Sequence, residues 1–181
     1  DGLFVIPGYD GAVTGGNVAV RVTSEGTIIV DDRLPPSSAE IAGKVKSVTP
    51  QPIKYVLSTH GHGDHTGGHP EFITVAEIIA HRNNRANMIR SKLAAPPRVV
   101  FSDQAGVFLG GVEVQAMHFG RGHTNGDAVI YFPDLRTVHT GDLVVWGKRT
   151  DGTILTPFVD RASGCSLPEW ITTLDGVLKL D

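Results

Sequence analysis

Ser58-Thr59-His60-Gly61-His62-Gly63-Asp64-His65-Thr66-Gly67-Gly68 decides how this chain is read. Three histidines and an aspartate fall within six residues, with glycines between them. Imidazole nitrogen and carboxylate oxygen are the ligand types that borderline-soft divalent metals such as zinc prefer. Gly61 and Gly63 admit backbone angles closed to other residues, so the reading expects them to turn several ligands toward one point. Upstream, Ile53-Lys54-Tyr55-Val56-Leu57-Ser58 has the composition of a buried strand. The loop therefore opens at a strand's C-terminal end, where α/β folds place their chemistry.

Working outward, Asn17–Val22 and Thr27–Asp31 read as paired strands around the turn Ser24-Glu25-Gly26. Ser37-Ser38-Ala39-Glu40 has the form of a capping box, and Ile41, Val45 and Val48 give the following helix one apolar face. Pro50 and Pro52 stop it before the strand that delivers the histidine loop. Strand, helix, strand, loop is βαβ order. Further on, Ala76–Ala80 reads as a short strand and Arg82–Leu93 as a polar helix whose arginines form a solvated face. Val107–Leu109 and Val112–Ala116 flank Gly110-Gly111, a hairpin signal. Ala128–Phe132 and Thr137–Thr140 form another pair across Pro133-Asp134. Ser166-Leu167-Pro168-Glu169 is a second capping box, opening a helix with Trp170, Leu174, Val177 and Leu178 on its apolar face.

His60-Gly-His62-Gly-Asp64-His65 resembles the HxHxDH signature of the metallo-β-lactamase fold superfamily. Gly122-His123-Thr124 and Gly141-Asp142 resemble the family's later metal-binding motifs, in the right order. The resemblance covers the chain from about Gly15 to the end. It implies a single domain over 1–181, an α/β four-layer αβ/βα sandwich of two mixed sheets with helices outside. It also implies that His60, His62 and His123 hold one metal, that Asp64 and His65 hold a second, and that Asp142 bridges them. Asp31-Asp32 stands where the family has an acidic residue supporting the site from behind. Two zinc ions per full-length chain are expected, with iron as the alternative. Family members with two metals supply one more histidine after the helix that Trp170 begins, so the reading expects the chain to continue beyond Asp181.

Zinc lowers the pKa of bound water to about 7, which makes a nucleophile available at neutral pH. The resemblance implies a hydrolase opening a carbonyl–heteroatom bond (amide, lactam, lactone, ester or thioester) in a small-molecule substrate. Asp64 would be the catalytic residue that orients the nucleophile and passes a proton to the leaving group. Asp142 stands where zinc β-lactamases of the best-known type carry cysteine. An iron oxidoreductase of the persulfide dioxygenase kind, with metal on His60, His123 and Asp142, and a catalytically silent metal-binding member are the other readings. His69, past the Gly67-Gly68 turn, reads as a supporting or surface residue, and His118 and His139 as structural. The segments Gly8–Gly16 and Trp146–Cys165 are expected to shape specificity, with Trp146 and Phe158 as an apolar wall.

Bulk properties set outer limits. The 181 residues are 40% hydrophobic and 19% charged, ordinary for one globular domain. Net charge is −3 with no basic block, which counts against a nucleic-acid partner. No apolar run reaches the ~18–20 residues that span a bilayer. Cys165 is the only cysteine, so no intrachain disulfide exists. Compartment stays open between cytoplasm and periplasm or exterior, because a removed signal peptide leaves no trace. Oligomeric state is likewise open.

Overall fold

The computed structural model describes residues 2–8, 15–148 and 151–180. Among these residues, ten strands form two sheets. The first holds β1 (Leu3–Ile6), β2 (Val18–Val22), β3 (Thr27–Val30), β4 (Ile53–Ser58), β5 (Glu77–His81) and β6 (Val99–Phe101), in that spatial order. Its first three strands are antiparallel, and β3 to β6 run parallel through helical crossovers. The second sheet has the order β10 (Thr137–His139), β9 (Val129–Phe132), β8 (Val112–Met117) and β7 (Gln104–Leu109). It departs from the expected mixed sheet, since all its pairings among the described residues are antiparallel. The cause is local: β7 and β8 are joined by Gly110-Gly111, both at positive φ, and β9 and β10 by the short turn Pro133–Leu135. Such connections reverse the chain, whereas a parallel pair needs a crossover of a dozen residues or more.

Alternation along the strands builds three apolar layers. Ile28, Val30, Leu57 and Ile79 point at the second sheet and pack on Val114, Ala116, Ile130 and Phe132. Their neighbours Ile29, Val56 and Ile78 face the other way, onto Ile41 and Val45 of α1 (Ser38–Val48) and Phe72 of α3 (His69–Phe72). Outside the second sheet, Val129 and Leu143 meet Trp170 of α5 (Leu167–Val177). Helix, sheet, sheet, helix is the expected four-layer sandwich. Each fully buried aliphatic side chain contributes about 1.5–3 kcal/mol, so a one-residue slip of a central strand would exchange two filled faces at once.

Three local readings are corrected. Ser37 lies in helical geometry (φ −70°, ψ −13°) and makes no side-chain cap. Glu40 pairs instead with Lys44 one turn on, at 2.7 Å, so no reciprocal box forms. At Ser166 half of the box forms: its hydroxyl accepts from Glu169 N at 3.4 Å, while its own N–H donates to the Gly122 carbonyl at 3.2 Å. Leu178 leaves the apolar face of α5 and is 82% exposed. Neither Gly61 nor Gly63 takes a positive φ. Gly61 serves by its size, since a Cβ there would stand 3.0 Å from the Asn84 carbonyl of α4 (Arg82–Arg90).

At the junction of β5 and α4, the His81 ring stacks on His118, centroids 3.9 Å apart and planes 14° from parallel. Its Nδ1 accepts from Asn83 N and caps α4. Burial, then the charge of His118, depress its pKa from 6.5 to about 4; a backbone hydrogen bond at Ser102 opposes them, and Arg82 and Asp103 have lesser, opposite effects. The unfolded chain therefore takes up this proton first as pH falls. The stability conferred by neutral His81 is complete above its unfolded pKa of 6.5 and is lost progressively toward 4. The thermal midpoint should fall across that window, and more shallowly in His81→Gln, as scanning calorimetry at stepped pH would show.

Candidate metal centre

The site is assembled where β3 and β4 end. After Val30 the backbone enters the left-handed region at Asp31 (φ 61°) and again at Arg33 (φ 63°). Conformations of this kind cost on the order of 1–3 kcal/mol each and persist only when surroundings hold them. Asp31 is so held: its carboxylate accepts from Thr59 N (2.7 Å), Thr59 Oγ1 (2.7 Å) and His65 Nδ1 (2.8 Å). Arg33 is fully buried and donates to the carbonyls of Gly16 (3.0 Å), Ile6 (2.9 Å) and Pro7. One guanidinium thus fastens both ends of the segment expected to overhang the site, whose residues 9–14 lie outside the described ones. Asp32 turns the other way and binds His69 Nδ1 (2.6 Å) and Gly68 N (2.9 Å).

β4 then delivers His60 and His62, and α2 (Gly63–Thr66) delivers Asp64 and His65. His123 comes from the loop between β8 and β9, which Asp127 ties to Thr124 N (2.9 Å) and Thr124 Oγ1 (2.6 Å). Asp142 follows β10 in the helical turn Gly141–Leu143. Gly141 has φ 52°, and a Cβ there would stand 2.7 Å from Thr59 Oγ1, so glycine is the residue that lets this turn close on the β4 end.

The rings converge. His62 Nδ1 lies 3.1 Å from His60 Nε2 and 2.9 Å from His123 Nε2. His60, His65 and Asp142 form a second group that shares His60. Asp142 faces both groups: Oδ1 is 3.3 Å from His65 Nε2, and Oδ2 is 3.8 Å from His123 Nε2 and 4.0 Å from His60 Nε2. Asp64 stands at the cleft edge with Oδ2 3.7 Å from His65 Nε2, beside the second group and outside its tightest cluster. The structure thus gathers His60, His62, His65, His123 and Asp142 at one point and leaves Asp64 on its edge.

The outward nitrogens settle where the ring hydrogens are. His123 Nδ1 meets the Phe158 carbonyl at 2.7 Å, and His62 Nε2 meets the Asp160 carboxylate at 2.7 Å. Neither partner can donate, so both nitrogens carry hydrogen. Thr59 Oγ1 gives its own hydrogen to Asp31 and so accepts from His60 Nδ1, at 3.1 Å. In the neutral rings the three inward nitrogens are then bare lone pairs pointing at one another. Separations of 2.9 and 3.1 Å with no hydrogen to share are repulsive unless a cation stands between them.

Ionisation follows the same division. Burial, then the neighbouring charges of His65, His123 and His62, drive the His60 pKa well below 6.5. At His65 burial also opposes charge, but Asp31 and Asp142 outweigh it and hold the pKa well above 6.5. The space between His65 and Asp142 favours positive charge. Asp142 is lowered although burial would raise it, chiefly by its contact with His65.

Two adjoining depressions of about 450 and 390 Å³ open onto this cluster and share Gly16, Asp142, Val145 and Leu155. Val5, Val138 and Trp146 wall one, and Phe158 walls the other. Trp146 and Phe158 are 92% and 63% exposed, so both belong to the cleft rim, not to the core. Sequence reasoning missed Asp160 and the Phe158 carbonyl. His69 is fully buried, and His118 and His139 bind backbone carbonyls at 2.7 and 3.0 Å.

Comparison with known proteins agrees with this geometry. The sequence profile of the metallo-beta-lactamase superfamily matches residues 12–175. Over 177 residues the chain is 25% identical to a metallo-beta-lactamase type 2 of Bacillus cereus, covering 94% of this chain and 64% of that protein. Over 134 residues it is 30% identical to the alpha subunit of 2,4-dinitroanisole O-demethylase of a Nocardioides species, covering 67% and 39%. The chain thus spans less than two thirds of the length of these curated relatives. Among solved structures it superposes on a metallo-beta-lactamase of Pontibacter korlensis with TM-score 0.78 at 20% identity, covering 98% of this chain and 79% of the other. A second superposition, on an enzyme of the same description from Hirschia baltica, gives 0.77 at 19% identity, covering 97% and 80%.

Proposed function

The chain belongs to the metallo-beta-lactamase superfamily, and on that premise we propose that it hydrolyses a carbonyl–heteroatom bond in a small molecule with zinc as its metal. The observation that carries the reading is the set of bare, inward-facing imidazole nitrogens beside a carboxylate whose two oxygens face two ligand groups. An uncharged core would not gather acceptors in this way. Nitrogen separations of 2.9 and 3.1 Å lie near the ~3.3 Å edge of a tetrahedron with zinc–nitrogen bonds of ~2.0–2.1 Å. His60, His62 and His123 would hold one ion, and His65, Asp142 and Asp64 the other.

Bound zinc supplies Lewis acidity, which polarises a carbonyl and makes water nucleophilic near neutral pH. The protein does the rest. Asp142 offsets positive charge between the two groups. Asp64, at the cleft edge, orients the attacking water and hands a proton to the departing heteroatom. His65 is fixed from behind by Asp31, so its Nε2 keeps one direction through the cycle. Val5, Val138, Val145 and Leu155 exclude water from one flank and favour a substrate with an apolar body.

Metal analysis and a substrate panel test this together. Zinc titrated against a chromophoric chelator should bind in two steps, the three-imidazole group filling first because its ligands already converge. Purified zinc protein should turn over at least one member of a panel of lactams, lactones, thioesters and aryl esters, whereas turnover confined to 2,4-dinitroanisole, an aryl ether for which one relative is named, would overturn the carbonyl reading. Iron in the protein with no hydrolysis would favour the oxidoreductase reading. Absence of both metal affinity and turnover would overturn the proposal.

A further inference from the structure

His123 and Asp142 reach the centre from two separate loops, and both loops rest on the first turns of α5. Ser166 N donates to the Gly122 carbonyl at 3.2 Å, and Thr173 Oγ1 donates to the Arg121 carbonyl at 2.9 Å. Trp170 Nε1 donates to the Leu143 carbonyl at 3.0 Å. Arg121 and Gly122 lead into His123, and Leu143 follows Asp142, so α5 is bonded to the backbone beside each ligand.

Trp170 touches both loops. Its ring lies 6.1 Å, centroid to centroid, from that of His123. A Cβ at Gly122 would stand 3.3 Å from Trp170 Cδ1 and 2.2 Å from Leu143 Cδ2. The two loops and the indole therefore close on one another with no space for a side chain at Gly122. The indole is 7% exposed and Leu143 3%. Leucine or phenylalanine could fill such a space, but only the indole adds an N–H at its ring edge to hold a carbonyl.

We propose that Trp170 is a positioning residue for the metal centre: its ring backs the His123 loop while its N–H fixes the turn that carries Asp142. One side chain thus sets the spacing of two ligands that are 19 positions apart. The inference rests on the reading that His123 and Asp142 bind metal, but the hold on the Asp142 turn is a property of the metal-free protein.

An isostere separates the hydrogen bond from packing. β-(3-Benzothienyl)alanine keeps the bicyclic shape of tryptophan and has sulfur in place of N–H. A tryptophan auxotroph fed this analogue, in a Trp146→Phe background, carries it at position 170 alone. In metal-free wild type the Trp170 indole hydrogen should exchange with solvent about tenfold or more slowly relative to that of Trp146, which is 92% exposed. The analogue should move the backbone amide shifts of Gly141, Asp142 and Leu143 and leave those of His60 and His62 in place. By chelator competition it should weaken the ion on His65 and Asp142 roughly 10–100-fold and leave the three-imidazole ion within about twofold of the Trp146→Phe protein. Trp170→Leu, which removes the ring as well, should weaken both ions. A merely structural role would weaken both ions alike in the analogue too, and that result would overturn the proposal. So would an analogue that weakens neither. A Trp170 indole hydrogen that exchanges as fast as that of Trp146 would overturn it even if no variant folds. Failure of the wild type to bind zinc would instead refute the metal reading, and the metal-free spectra would still decide whether Trp170 holds the turn.

Discussion

Asp142→Ala is expected to lower kcat/KM for hydrolysis by about a thousandfold, roughly 4 kcal/mol of transition-state stabilisation, with the fold intact. Among the described residues Asp142 is the one carboxylate whose two oxygens face both ligand groups, at 3.3 Å from His65 and 3.8 Å from His123. Its removal leaves the second group without its anion and the inward nitrogens without a counter-charge for the metals. The side chain is 29% exposed at the cleft floor, so truncation opens the cleft and makes no sealed cavity. Zinc content should drop from two equivalents toward one, measured alongside turnover and a thermal melt. A variant that keeps full turnover and both ions would remove Asp142 from the centre.

His69→Ala should have the opposite profile. Sequence position alone makes this residue peripheral, yet His69 and Asp32 are both fully buried and bound to each other at 2.6 Å. Asp32 then keeps only Gly68 N, at 2.9 Å. Burial already raises the Asp32 pKa, with His69 the chief opposing influence. Removing one partner of such a pair costs about 3–5 kcal/mol, which for a domain of this size is a loss of roughly 6–20 °C in Tm. Zinc stoichiometry of the folded fraction should be unchanged, since no His69 nitrogen faces the cluster. Calorimetry and metal analysis on the same sample check both halves, and a melt within a degree or two of wild type would contradict the pairing.

The contrast between these residues shows what the sequence carried. His60, His62, Asp64 and His65 stood out by residue type at the end of an apolar run, and His123 and Asp142 by resemblance to the family's later motifs; their convergence is what the structure adds. The four layers came from the family resemblance together with the βαβ order around the histidine loop, and the buried run Ile28-Ile29-Val30 shows their physical basis, with alternate side chains filling opposite faces. Asp160 was not legible: it lies in a stretch without periodicity, and its role depends on a fold that brings it 98 positions back to His62. The Phe158 contact uses a backbone carbonyl, which any residue supplies, so the side chain carried no signal. Ser37 misled because a capping box is a local rule, and Lys44 offered Glu40 a better partner. Gly61 was singled out for freedom of φ, but what mattered was the closeness of α4, a tertiary fact.

His60, His62 and His65 belong to the first sheet's strand ends, while His123 and Asp142 arrive with the second. A chain leaving the ribosome presents the first three histidines long before the last two ligands exist. Neither ligand group is complete until the sheets have closed on one another, so tight capture of an ion comes late in assembly. An ion seated there acts as a clasp across the sandwich, because the free energy of binding adds to the docking of one half on the other. If an ion is bound there, stripping it should loosen the seam between halves before it frays any strand, and a chain made without metal should stay unclasped.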